Sequence, residues 1–135
     1  MTIPLEYRAR LPVDARAPAA ARRLVRCLEG ELHGDRLENL ELLVTEVVTN
    51  SVRHAGLDAD GWVGLEVQLS PDRVRVEATD PGRGFDPANL PLEPDVRPSG
   101  WGLYLVSQIA QRWGVHHDAF TRVWFELELG AVPAP

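Results

Sequence analysis

A single cysteine, Cys27, stands in 135 residues. A disulfide framework within the chain is excluded. Cys27 lies in a helical pattern and reads as a buried thiol. No apolar run approaches the ~18 residues of a membrane span. Glu6, Arg8 and Arg10 lie among the first ten residues, so no apolar signal-peptide region is expected. Basic charge is also short: the formal net charge is −6. That argues against binding nucleic acid through bulk electrostatics, though a local basic patch stays open. The expectation is a soluble cytoplasmic protein with no membrane and no direct nucleic-acid partner. No G-K-[ST] follows the glycines, and no glycine cluster directly links a strand to its helix. A P-loop and a Rossmann fingerprint are therefore both missing. Internal repeats and a second domain are missing too. At 44% hydrophobic and 25% charged residues, the composition is ordinary for a globular domain. It predicts one domain over 1–129 with a sizeable core, followed by a flexible C-terminal tail, 130–135.

What is present centres on 37–55, LENLELLVTEVVTNSVRHA. The pattern predicts a helix. Asp35 can cap its first turn, and Gly56 can end it. Leu40, Leu43, Val44, Val47 and Val48 recur at helical spacing as an apolar stripe. Glu46, Asn50 and His54 are each four residues apart, stepping about 40° round the axis. They share one face beside the stripe. That face has two readings. It can be the solvated side of an amphipathic helix. It can also be a metal and catalytic site, because an amide oxygen suits Mg²⁺ and a carboxylate one turn away can polarise a hydroxyl.

Around this helix the chain reads in order. Leu5 to Leu11 alternates as an edge strand. Pro18 to Gly30 reads as a helix with Ala21, Leu24, Val25 and Leu28 on its apolar face. Trp62 to Leu69 and Arg73 to Thr79 alternate as two strands round a hairpin turn at Ser70-Pro71-Asp72. Phe85 to Ser99 is a proline-rich loop, long for a compact domain. Leu103 to Trp113 reads as a helix ended by Gly114. Val115 to His117 reads as a short strand and Thr121 to Leu129 as a long one. The whole predicts an α/β two-layer sandwich: a mixed, mostly antiparallel sheet with helices on one face.

Two glycine pairs punctuate this pattern. Asp80, Gly82 and Gly84 follow a buried-looking strand. They make good turn chemistry, and equally a place where a ligand approaches the backbone beside a fixed carboxylate. Gly100 and Gly102 precede a helix whose free N–H groups suit a phosphate. A simple glycine-rich helix entry fits them as well.

Taken together, Glu46-Val-Val-Thr-Asn50, Asp80-Pro-Gly82-Arg-Gly84 and Gly100-Trp-Gly102-Leu103 resemble the N box and two glycine boxes of the GHKL ATPases. Thr121 stands where that superfamily often has an adenine-contacting threonine. LLVTEVVTNSVRHA and SGWGLYLV look most like the small bacterial anti-sigma-factor serine kinases. The resemblance implies a Bergerat-type sandwich binding ATP and Mg²⁺. It implies Asn50 as the metal ligand and Glu46 as the general base. Asp80 and Thr121 would meet the adenine, Gly82 and Gly84 would admit the nucleotide, and Gly100, Gly102 and Leu103 would close round the phosphates. The proline-rich loop would be a lid. It further implies protein serine kinase activity, with a sigma factor and an anti-anti-sigma protein as partners, and admits a homodimer. The rival expectations are a non-catalytic ATP-binding switch of the same fold and the ATP-binding half of a histidine kinase. No phosphoacceptor-helix domain precedes the sheet, which counts against the latter.

Overall fold

Strict alternation builds the sheet. In β2 (Trp62–Leu69) and β3 (Arg73–Asp80) every second residue is buried. Side chains two apart share a sheet face, so Val63, Leu65, Val67 and Leu69 point one way with Val74, Val76 and Ala78. The computed structural model describes residues 5–28, 30, 32, 34–54, 61–80, 98–117 and 120–129. Pro71 and Asp72 form the turn between the strands, where Ser70 N–H donates to Arg73 O at 2.8 Å. β1 (Leu5–Pro12), β4 (Arg112–His117) and β5 (Thr121–Glu128) complete a five-stranded sheet in the order β1-β2-β3-β5-β4. Each of its pairings is antiparallel.

Three helices cover one face: α1 (Ala17–Arg26), α2 (Asp35–His54) and α3 (Pro98–Ile109). Ala17, Ala21, Val25 and Leu28 form the buried line of α1 and its exit. Leu40, Leu43, Val44, Val47 and Val48 are each fully buried on α2. Burying one such large aliphatic side chain contributes about 1.5–3 kcal/mol, so this stripe secures the helix layer. Among the described residues, no helix is long and apolar enough to cross a membrane.

Several expectations shift; α1, expected to run to Gly30, ends at Arg26. α2 begins at Asp35, and Gly34 O accepts the first helical bond from Glu38 N–H at 3.1 Å. Gly34 holds φ 60° there, a left-handed backbone that glycine adopts without a Cβ clash. Asp35 is therefore a first-turn residue, where its charge suits the helix dipole, rather than the cap. The expected stop at Gly56 lies outside the described residues. Cys27 is exposed, not buried. It sits about 200° round the helix from Val25, on the side away from the core. The last helix starts at Pro98 and stops at Ile109, so Trp113 and Gly114 belong to β4. Gln111 N–H donates to Glu126 O at 3.1 Å, and Trp113 and Val115 pair with Phe125 and Val123. A strand ladder with two core side chains outcompetes one more helical turn.

The outer face of the sheet is held differently. All 14 basic residues of the chain are arginines, and a planar guanidinium stacks on indole where an ammonium does not. Arg10 lies 4.8 Å from the Trp62 ring centre and Arg75 4.3 Å from that of Trp124. Glu126, mostly buried, pairs with Arg73, Arg75 and Arg112 at 3.4, 3.5 and 3.4 Å. One carboxylate thus ties β3, β5 and β4 together. Gly114 leaves the space that Trp124 occupies: a Cβ there would stand 2.8 Å from the indole Nε1.

Phe125 is among the largest fully buried side chains. Phe125→Ala should cost roughly 3–5 kcal/mol, read as a lower urea midpoint at unchanged slope. Gly114→Ala should cost about 1–3 kcal/mol by overpacking. It should also change the near-ultraviolet circular dichroism as Trp124 is displaced; an unchanged spectrum would refute the contact.

Candidate functional site

Strand register defines one end of the sandwich. Pro12 pairs with Trp62, Asp80 with Thr121, and Thr121 with His117. Gly64 opposite Thr79 places Trp62 at the same end as Asp80. The opposite end holds Leu5 with Leu69 and Arg73 with Glu128.

The helices can be oriented from this. α1 starts just after Pro12, tied by Ala17 N–H to Asp14 O at 3.2 Å. Arg16 steadies the same turn. Its guanidinium, and then its backbone N–H, bond the Asp14 carboxylate and hold it below the usual carboxylate range. α1 therefore begins at the Asp80 end. α2 runs back against it, because Arg26 meets Glu41 at 2.7 Å while Arg22 meets Thr45 at 3.3 Å. The last turns of α2 thus return to the Asp80 end. α3 leads into Arg112, which pairs with Glu126 toward the opposite end, so the N-terminus of α3 also lies at the Asp80 end. Three separate stretches of chain converge there.

Each contributes particular atoms. Asp80 ends the inward row Val74, Val76, Ala78 and is completely buried. Thr121 begins the inward row Val123, Phe125, Leu127 and is completely buried too. A carboxylate and a hydroxyl directly opposite on neighbouring strands have Cβ atoms about 4.5–5.5 Å apart. On α2, Asn50 is 3% exposed, and its Nδ2 has no hydrogen-bond partner among the described residues. Glu46, one turn earlier, is half-buried at the rim. Leu103 is buried beneath the start of α3, and α3 packs on α2. Gly100 and Gly102 lie inside the first turns of α3 rather than ahead of it. Gly82 and Gly84 fall outside the described residues. So does the expected loop, except Pro98 and Ser99, which are helical.

One residue escaped the sequence reading. Ser51 is 1% exposed, and its Oγ has no hydrogen-bond partner among the described residues. It stands three residues after Val48 and four after Val47, so it continues the apolar stripe. That spacing was the available signal: a hydroxyl in a core position. A cavity of about 530 Å³ opens elsewhere, between Arg10, Trp62, Gly64, Thr79, Phe120 and Arg122. These are mainly outward positions of the strands, so Asn50 and Ser51 do not line this cavity.

The family described as histidine kinase-like ATPase domain matches residues 11–127. The chain belongs to this family. The family match takes in Glu46, Asn50, Asp80 and Thr121, which the fold gathers at one end. Among curated relatives, a serine-protein kinase RsbW of Halalkalibacterium halodurans is 29% identical, over 63% of this chain and 58% of that protein. A protein of the same name from Listeria innocua is 27% identical over 62% of this chain and 60% of its own. The match thus spans less than two thirds of these relatives. The histidine kinase domain from the Erythrobacter litoralis EL346 blue-light activated histidine kinase shares the fold. Its TM-score is 0.56 at 23% identity, covering 86% of this chain and 64% of that one.

Proposed function

We propose that this histidine kinase-like ATPase domain binds Mg-ATP at the Asp80 end and acts as an anti-sigma factor. In this reading it also has protein serine kinase activity toward an anti-anti-sigma partner. One observation carries the nucleotide part. The buried Asn50 side chain, whose Nδ2 donor has no hydrogen-bond partner among the described residues, sits at the same end as the buried Asp80–Thr121 pair. A buried polar group without a partner costs about 1–3 kcal/mol. A ligand that satisfies it recovers that cost. The kinase part rests on the names of the curated relatives.

The residues fit such a ligand. The Asp80 carboxylate is an acceptor that would take a hydrogen bond from the exocyclic amine of adenine. Thr121, across the strand pair, flanks the same base. The Asn50 side chain can flip to present its oxygen, a hard ligand of the kind Mg²⁺ takes together with phosphate and water oxygens. The N-terminal turns of α3, with Gly100, Gly102 and Leu103, offer N–H groups and a partial positive charge to the phosphates. Gly82 and Gly84 would admit the nucleotide.

In the transfer step, Glu46 accepts the proton of a substrate serine hydroxyl as its oxygen attacks the γ-phosphorus. The bond from that phosphorus to the bridging oxygen breaks, and ADP leaves. Bound Mg²⁺ would neutralise phosphate charge during this exchange. Asn50 holds position and Glu46 moves the proton, so their substitutions should separate.

Asp80→Asn should weaken ATP binding while the circular dichroism stays native, because an amide also donates where only an acceptor is wanted. An unaltered ATP affinity would remove Asp80 from the adenine contact. Glu46→Gln should leave ATP affinity nearly intact. It should slow phosphorylation of a serine-bearing anti-anti-sigma protein by roughly 10²–10⁴-fold, followed with labelled ATP. Parental rates in that variant would refute Glu46 as the base. If the parent transfers nothing, yet ATP changes its affinity for a sigma factor, the protein is a nucleotide switch rather than a kinase.

A further inference from the structure

Ser51 occupies the middle of a buried face. Measured round the α2 axis it lies between Val47 and Val48 and in line with Val44, and all three valines are completely buried. An aliphatic side chain or alanine would suit that place. The serine brings an Oγ with no hydrogen-bond partner among the described residues. The usual escape for a hydroxyl inside a helix is the carbonyl four residues back. Thr45 uses it, donating to Glu41 O at 2.7 Å. Ser51 makes no such bond. Its hydroxyl is therefore held in the core without a partner among the described residues, next in the chain to Asn50 and at the Asp80 end of the sandwich.

We propose that Ser51 is a base-reading residue, whose hydroxyl donates, directly or through one water, to ring nitrogen N1 of adenine. The inference rests on the nucleotide reading above and adds a residue to it. The chemistry is complementary. The adenine edge presents a donor at its amine and an acceptor at N1. A carboxylate at Asp80 meets the first, and a hydroxyl at Ser51 meets the second. Guanine presents an acceptor and a donor in the reverse order, so the pair also discriminates against it.

The test is a cycle of two proteins and two ligands. ADP and 1-deaza-ADP, which lacks the N1 acceptor, are titrated calorimetrically into the parent and into Ser51→Ala. Alanine favours the helix, so this variant folds. The free variant should melt higher than the free parent, since an uncompensated buried hydroxyl is gone. The parent should bind ADP roughly 5–10-fold more tightly than 1-deaza-ADP, the worth of one hydrogen bond. Ser51→Ala should bind both ligands equally, at the parent's affinity for 1-deaza-ADP. Overturning results are an unchanged ADP affinity in Ser51→Ala, or a preference for ADP as large as the parent's. A parent that binds neither ligand overturns the nucleotide reading itself, and this proposal with it.

Discussion

The structure depends on one packing event, the seating of α2 on the inward face of the sheet. Five fully buried aliphatic side chains along that helix leave it one rotational setting. Rotation by even one position would expose valines and bury charge. Once the stripe is seated, everything else on the helix has its place. Glu46 falls on the rim, Asn50 just inside it, and Ser51 in the buried row. The polar groups at the end of the sandwich are therefore a consequence of apolar burial two turns away.

Antiparallel packing of α1 then decides which end of the sheet these groups reach. The pairs Arg26 with Glu41 and Arg22 with Thr45 are partly exposed, so each contributes little to stability. Their importance is directional. They show α2 returning toward the strand ends that carry Asp80 and Thr121. The two strand ends are adjacent because β5 inserts beside β3, although some forty residues separate them in the chain. A carboxylate from one segment, a hydroxyl from a second and an amide from a third reach the same end of the sandwich for these two reasons.

The opposite face of the sheet solves a different problem. Among the described residues, no helix covers the wide aromatic rings there. Arginines from neighbouring strands lie over Trp62 and Trp124, and Glu126 gathers three more guanidinium contacts. Stacking keeps the rings partly screened while the charged heads remain in water. Gly114 belongs to this arrangement, since a side chain at its position would take the space of the Trp124 indole.

Much of this was legible without coordinates. Period-two burial in β2, β3 and β5, the α2 stripe and the N-box and glycine-box spacing are local properties, written in residues a few positions apart. The α/β sandwich and its family followed from them. Cys27 and the end of the last helix did not, because each depends on a partner distant in sequence. Cys27 is exposed since the α1 stripe faces α2 and the sheet on the other side. Trp113 is in a strand since Phe125 lies across from it. Ser51 continues the α2 stripe at three- and four-residue spacing, but one serine in a helix is ordinary until the surrounding valines are known to be buried. The sequence by itself determined which residues alternate, which recur at helical spacing and which family they belong to. Only the tertiary structure decided which end of the sheet receives Asn50, Asp80 and Thr121 together, and that Asn50 Nδ2 and Ser51 Oγ are buried without partners among the described residues. Local pattern sets the faces of each element. The meeting of those faces depends on packing between segments far apart in the chain.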